Sequence, residues 1–160
     1  MAKSKSNSVI LFLFLICCSF SLKIQHAQAW ESYIVNMIAQ SKKAMDRGSI
    51  ISLDGGAPWV SSSPIDLKIT PLEGSVIARA FKTKDFSGLQ ANGCVVEGTK
   101  YQFLREDGKV AFCKLKNKGA LTMQQSKSAV VIGHTIEGQQ QGNTNKAVGI
   151  IADYLESVGM

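Results

Sequence analysis

The chain has 160 residues, which suits one domain, and its three prolines and 14 glycines fit a compact, turn-rich fold rather than a disordered one. The formal net charge is +6, but Lys3, Lys5 and Lys23 fall within residues 1–29, which hold no acidic residue. Residues 30–160 therefore carry 15 basic against 12 acidic side chains, a net +3. That balance tolerates an acidic partner or anionic lipid and does not predict nucleic acid.

In chain order, Met1–Ser8 is polar with two lysines, Val9–Leu22 is an apolar run, and Ala27-Gln28-Ala29 is a small-x-small site. This order predicts a secretory signal peptide, residues 1–29, cut after Ala29. The run is too short for a comfortable membrane span. Cys17 and Cys18 would leave with it. Cys94 and Cys113 remain, either as one disulfide outside the cell or as free thiols inside it.

The domain is expected over 30–160. Trp30, Tyr33, Ile34, Met37 and Ile38 recur at helical spacing and predict a helix over Trp30–Met45 with one aromatic-apolar stripe. The plain reading of that stripe is core. Ser49–Leu53 and Trp59–Ser61 read as short strands around the Asp54-Gly55-Gly56 turn. Thr70-Pro71-Leu72-Glu73 is a capping box with proline at the first helical position. It opens a helix to about Phe81, with Leu72, Val76, Ile77 and Ala80 expected inward.

Cys94–Val96, Lys100–Arg105, Lys109–Leu115, Ala120–Met123 and Ala129–Ile136 are short β-prone runs separated by Glu97-Gly98-Thr99, Asp107-Gly108 and Asn117-Lys118-Gly119. They predict an antiparallel meander. Asn143–Met160 closes the chain as an amphipathic helix, with Ala147, Val148, Ile151, Tyr154, Leu155 and Val158 on its apolar face, Asn143 or Thr144 as N-cap and Gly159 just past its end. The order helix, hairpin, helix, meander, helix predicts an α+β fold: a central antiparallel sheet with both terminal helices together on one face.

Catalysis needs a nucleophile with a base, placed carboxylates or metal ligands. Outside the leader the chain has one histidine, His134, in a predicted strand, and no CxxC, GxGxxG or Walker loop. Neither an enzyme nor a bound cofactor is expected. Aromatic residues point to binding instead. If the terminal helices lie side by side, Trp30, Tyr33, Trp59 and Tyr154 line their outer seam. Such a ledge suits polyproline II ligands, which are stiff before binding and present unpaired carbonyls to indole N–H and phenol O–H groups.

These residues resemble the profilin family. Trp30-Glu31-Ser32-Tyr33-Ile34 is similar to its W-x-x-Y-[IV], and Asp54-Gly55 with Trp59 and Ser61 to its D-G-x-x-W-A-x-S. Gly88-Leu89, Asn92-Gly93, Gly98-Thr99-Lys100-Tyr101, Ala129–Gly133 and Asp153-Tyr154-Leu155 with terminal Gly159-Met160 follow in order, as in plant and invertebrate members. His134-Thr135 and Gln124-Gln125 depart from the usual pattern, and so does the leader. The resemblance implies a cytoplasmic actin-monomer-binding protein of the actin cytoskeleton that also binds proline-rich proteins and phosphoinositides. It maps the proline site onto Trp30, Tyr33, Trp59, Tyr154, Leu155 and Met160. It maps the actin face onto Lys100, Gln102, Phe103, Leu104 and Arg105, continuing through Gly142, Asn145, Lys146 and Gly149. Gly149 costs about 1 kcal/mol relative to alanine inside a helix, so close approach by a partner is one use for it. Lys109, Lys114, Lys116 and Lys118 form a basic hairpin suited to anionic head groups, or simply lysines guarding a strand edge. The rival reading is a secreted relative that has lost actin.

Overall fold

The computed structural model describes residues 29–59 and 63–160. Helix α1 covers 29–40. Ile34 and Met37, one turn apart, are fully buried, with Trp30, Tyr33 and Ile38 partly buried beside them. The helix does not run to Met45 as its apolar pattern suggested. Lys42 and Lys43 adopt left-handed backbone, φ 54° and 66°, which ends it. Met45 N–H then donates to the Ser41 hydroxyl at 3.0 Å and heads strand β1, Met45–Ser52.

Strand β1 begins earlier than Ser49 because its first half pairs with the far end of β6, Ala129–Thr135. That register sets Gly48 opposite Gly133. A Cβ on Gly133 would lie 2.6 Å from a Val148 methyl, and one on Gly48 would lie 3.0 Å from the Met37 methyl. The glycine pair is what lets both terminal helices close onto the sheet. The expected return strand at Trp59 is a single bridge, Ile51 to Pro58, with Trp59 N–H on Ile50 C=O at 2.8 Å. Val60, Ser61 and Ser62 lie outside the described residues.

Helix α2, Pro71–Thr83, opens on the expected capping box. Thr70 Oγ1 accepts from Glu73 N–H, and Glu73 Oε2 accepts from Thr70 N–H at 2.9 Å. Its inward face is Ile77, Ala78, Ala80 and Phe81. Leu72 and Val76 were expected inward and are 75% and 39% exposed. The reason is Glu73: its carboxylate is needed in the interior, where it also accepts from Glu97 N–H and Gly98 N–H, and this turns the helix away from Leu72. A short helix α3, Ser87–Asn92, which the sequence patterns did not predict, follows.

The meander is as expected, with ends shifted by a residue or two: β2 Cys94–Val96, β3 Thr99–Asp107, β4 Val110–Leu115, β5 Gly119–Gln125, then β6. The spatial order is β1-β6-β5-β4-β3-β2, antiparallel at every pairing. Helix α4, Gln141–Ser157, starts two residues before Asn143, and neither Asn143 nor Thr144 caps it. The sheet is covered on both faces, and β6 shows the period of two. Val130 and Ile132 enter the core beneath α2 and α3, whereas Ala129 and Val131 enter the core beneath α1 and α4.

Candidate ligand-binding faces

The first and last described helices, α1 and α4, meet. Trp59 and Trp30 have ring centroids 4.6 Å apart, Trp30 and Tyr33 5.4 Å, and Tyr33 and Tyr154 5.8 Å, tilted by 35–47° throughout. The four rings form a continuous ledge along the α1–α4 seam. Burial, reinforced by the neighbouring Tyr154 hydroxyl, pushes the Tyr33 phenol above its ordinary range, so it stays a hydrogen-bond donor across neutral pH. Tyr154 is 47% exposed and Met160 partly buried. Met160 C=O accepts from Lys127 N–H at 2.9 Å, and Met160 N–H donates to Leu155 C=O at 2.8 Å, which fixes the chain end against the ledge. Leu155, assigned to the proline site by resemblance, is fully buried. It stands one position beyond Tyr154 on the helix and faces the sheet, so it supports the ledge from behind and cannot meet a ligand.

A second face lies across the sheet. A bulge between Phe103 and Arg105 breaks the alternation of β3. Phe103 packs on the inner core while both Leu104 and Arg105 stand outward. The Arg105 guanidinium sits 4.6 Å above the Phe112 ring. Phe112 is opposite Arg105 on one side and Thr122 on the other. Thr122 hydroxyl donates to Asn145 Oδ1 of α4 at 2.6 Å. One row of side chains thus joins the β3 candidates to the α4 candidates. Lys100, Gln102 and Lys146 are exposed beside it, and a Cβ on Gly142 would meet nothing within 4 Å. Gly149 faces Gln124, 3.3 Å from where its Cβ would be. Phe112 and Thr122 were not singled out from sequence. Only the strand register, which places both beside Arg105, reveals them.

The four candidate lipid-binding lysines do not gather. Lys109 is at the β3–β4 turn, with its ammonium on Glu156 at 2.7 and 3.0 Å. Lys116 and Lys118 occupy the β4–β5 turn at the other end of a six-residue strand, about 20 Å away at strand rise. What remains is a smaller exposed set, Lys114, Lys116 and Lys118.

His134 is buried and fully engaged. Nδ1 is 2.6 Å from Asp46 Oδ1, and Nε2 is 2.7 Å from Lys118 C=O. Cys94 and Cys113 are both free and fully buried. A hydrogen bond with Cys113, then burial, pushes the Cys94 thiol well above its ordinary range, the opposite of what a nucleophile needs.

An α+β sandwich whose first and last described helices meet under a run of four aromatic rings presents a surface suited to an extended ligand. The profilin family model matches residues 28–160. Profilin from Heliocidaris crassispina is 55% identical over 139 residues, covering 82% of this chain and 99% of that protein, and profilin from Suberites domuncula is 54% identical with the same coverage. The crystal structure of Acanthamoeba castellanii profilin II superimposes with a TM-score of 0.72 at 27% identity, over 82% of this chain and 99% of that one. This chain belongs to the profilin family.

Proposed function

We propose that this chain binds monomeric actin and regulates its polymerisation while holding proline-rich proteins at a separate site. The observation that carries the reading is the unbroken run Trp59–Trp30–Tyr33–Tyr154, with ring spacings of 4.6 to 5.8 Å. Proline rings stack on those faces, and phenol and indole donors meet the ligand's carbonyls. Mouse profilin IIa, which shares this fold at 22% identity, has been solved in complex with a double repeat from the FH1 domain of mDia1. The actin surface is the row from Lys100, Gln102, Leu104 and Arg105 through Phe112 and Thr122 to Asn145, Lys146 and Gly142. Ledge and row use different surfaces, so both partners bind together. Such an adaptor acts in the cytoplasm, delivers actin subunits to growing filaments and is not a catalyst.

The domain is 30–160 and residues 1–29 are a leader apart from it; the relatives are matched over 99% of their length by 82% of this chain, which supports that division. Anionic lipid, if bound, meets Lys114, Lys116 and Lys118 rather than all four hairpin lysines.

Intrinsic tryptophan fluorescence during titration with poly-L-proline tests the ledge. The spectrum should change for the wild type and stay flat for Trp30→Ala. A flat wild-type titration at millimolar proline sinks the reading. An actin polymerisation assay, in which a monomer-binding protein lowers the amount of filament pelleted, separates this function from an exported relative that has lost actin. N-terminal sequencing of the native protein shows whether Trp30 is its first residue.

A further inference from the structure

On the face opposite the aromatic ledge, α2, α3 and β2 enclose an open groove of about 460 Å³. Its floor is Ile77 and Leu89, both buried. Leu72, Val76 and Val95 stand along its walls, exposed by 75%, 39% and 38%. Single exposed aliphatics on a surface mean little, but three around one concavity are a patch. Leu72 and Val76 are one turn apart on α2, and Arg79 follows one turn later on the same face.

Arg79 supplies the sign of the partner. It lines the groove, and among the described residues no carboxylate forms an ion pair with it. The Asp85 carboxylate senses it weakly but is engaged by the Ser87 backbone N–H and hydroxyl, at 3.0 and 2.6 Å. The Glu73 carboxylate in the floor accepts three backbone N–H groups and is not free to answer Arg79. The groove is therefore apolar with one uncommitted positive charge on its wall. It is also continuous with the sheet: Val95 pairs with Lys100, the first residue of the outer row on β3.

We propose that this groove docks an amphipathic helix of a partner protein, one carrying two aliphatic side chains a turn apart and a carboxylate placed to pair with Arg79. A helix fits better than an added strand. Although β2 is the sheet's edge, it is three residues long, and its flanking Gly93 N–H and Glu97 N–H are taken by Leu89 C=O and Glu73. The edge offers too few free backbone groups to template pairing. The site is distinct from the proline ledge and adds a third binding face, so the proposal stands or falls separately from the ledge.

Fluorescence anisotropy with a panel of labelled synthetic helical peptides tests it. Each peptide carries two leucines a turn apart, with a glutamate walked through the other positions; a matched panel carries lysine instead. At least one glutamate peptide should bind saturably below about 1 mM and its lysine counterpart at least about tenfold more weakly. Leu72→Ser with Val76→Ser should cut that binding by about tenfold or more, and Arg79→Glu should reverse the charge preference. Far-UV circular dichroism and the urea-unfolding midpoint, close to wild type in every variant, report that the fold persists. Failure of the whole panel to saturate, binding indifferent to charge, or binding unaffected by the serine substitutions would each overturn the proposal. So would loss of actin binding in the serine variant together with displacement of the peptide by actin, since the groove would then be part of the actin surface.

Discussion

Asp66 offers a measurement of how the fold handles a misplaced charge. It is 3% exposed, and its Oδ1, like the hydroxyl of Ser49, is buried without a hydrogen-bond partner. Burial pushes its pKa up from 3.8 to about 6, against the pull of Lys68, whose ammonium is 3.9 Å from the other oxygen. Between those values the native carboxyl is protonated and the unfolded one ionised, so unfolding releases a proton and stability falls as pH rises. Below about pH 4 both states are protonated and the penalty is absent; above about pH 6 it is present in full. A shift of roughly two units corresponds to about 3 kcal/mol. Asp66→Asn keeps the shape and removes the ionisation. Urea unfolding of both proteins from pH 4 to pH 7.5 should show the variant gaining up to about 3 kcal/mol on the wild type as pH rises. Parallel stability curves across that interval would refute the reasoning. The consequence reaches the ligand face, because Ile65, next to Asp66, packs into the same core as Trp30 and Trp59.

Glu73→Ala should destabilise by about 3 kcal/mol or more in urea unfolding, because it strands the N–H groups of Thr70, Glu97 and Gly98; a change below about 1 kcal/mol would mean the β2–β3 turn finds other partners. Gly133→Ala should cost about 1–3 kcal/mol, since the new methyl would sit 2.6 Å from Val148 and 2.9 Å from the Met45 methyl; an unchanged Tm would show that α4 can lift freely. Cys94 and Cys113 should resist iodoacetamide at pH 8 in the native protein and react on unfolding, read by mass spectrometry. Arg105→Ala should weaken the protein's effect on the amount of actin filament pelleted while leaving the poly-L-proline response intact, because Arg105 belongs to the sheet row and not to the ledge.

Several features were legible because their causes are local. The capping box at Thr70–Glu73 is a four-residue arrangement, and the structure contains both of its hydrogen bonds. The stripe in α1 is a helical periodicity written in the sequence itself, and Ile34 and Met37 on it are fully buried. The resemblance to profilins rested on short motifs in order, and the residues that matter most at the ledge, Trp30, Tyr33, Trp59 and Tyr154, are all among them. Element ends were less legible. The end of α1 depends on left-handed backbone at Lys42 and Lys43, residues with no special taste for it.

The sequence alone determined the type of most elements, since helical stripes, capping boxes, turns and β-prone runs are patterns within a few positions of one another; α3 and the reduction of the Trp59 strand to a single bridge were not among them. Tertiary structure decided which way each element turns. Leu72 faces solvent because Glu73 is called inward by amides of the β2–β3 turn, more than 20 residues along the chain. Leu155 is withdrawn behind Tyr154 because α4 docks on Gly133. Arg105 shares a face with Asn145 because a bulge re-aims one strand and cross-strand register carries the row across two more. In each case the deciding partner is remote in the chain, and no local pattern of apolar and polar residues encodes a remote partner's position.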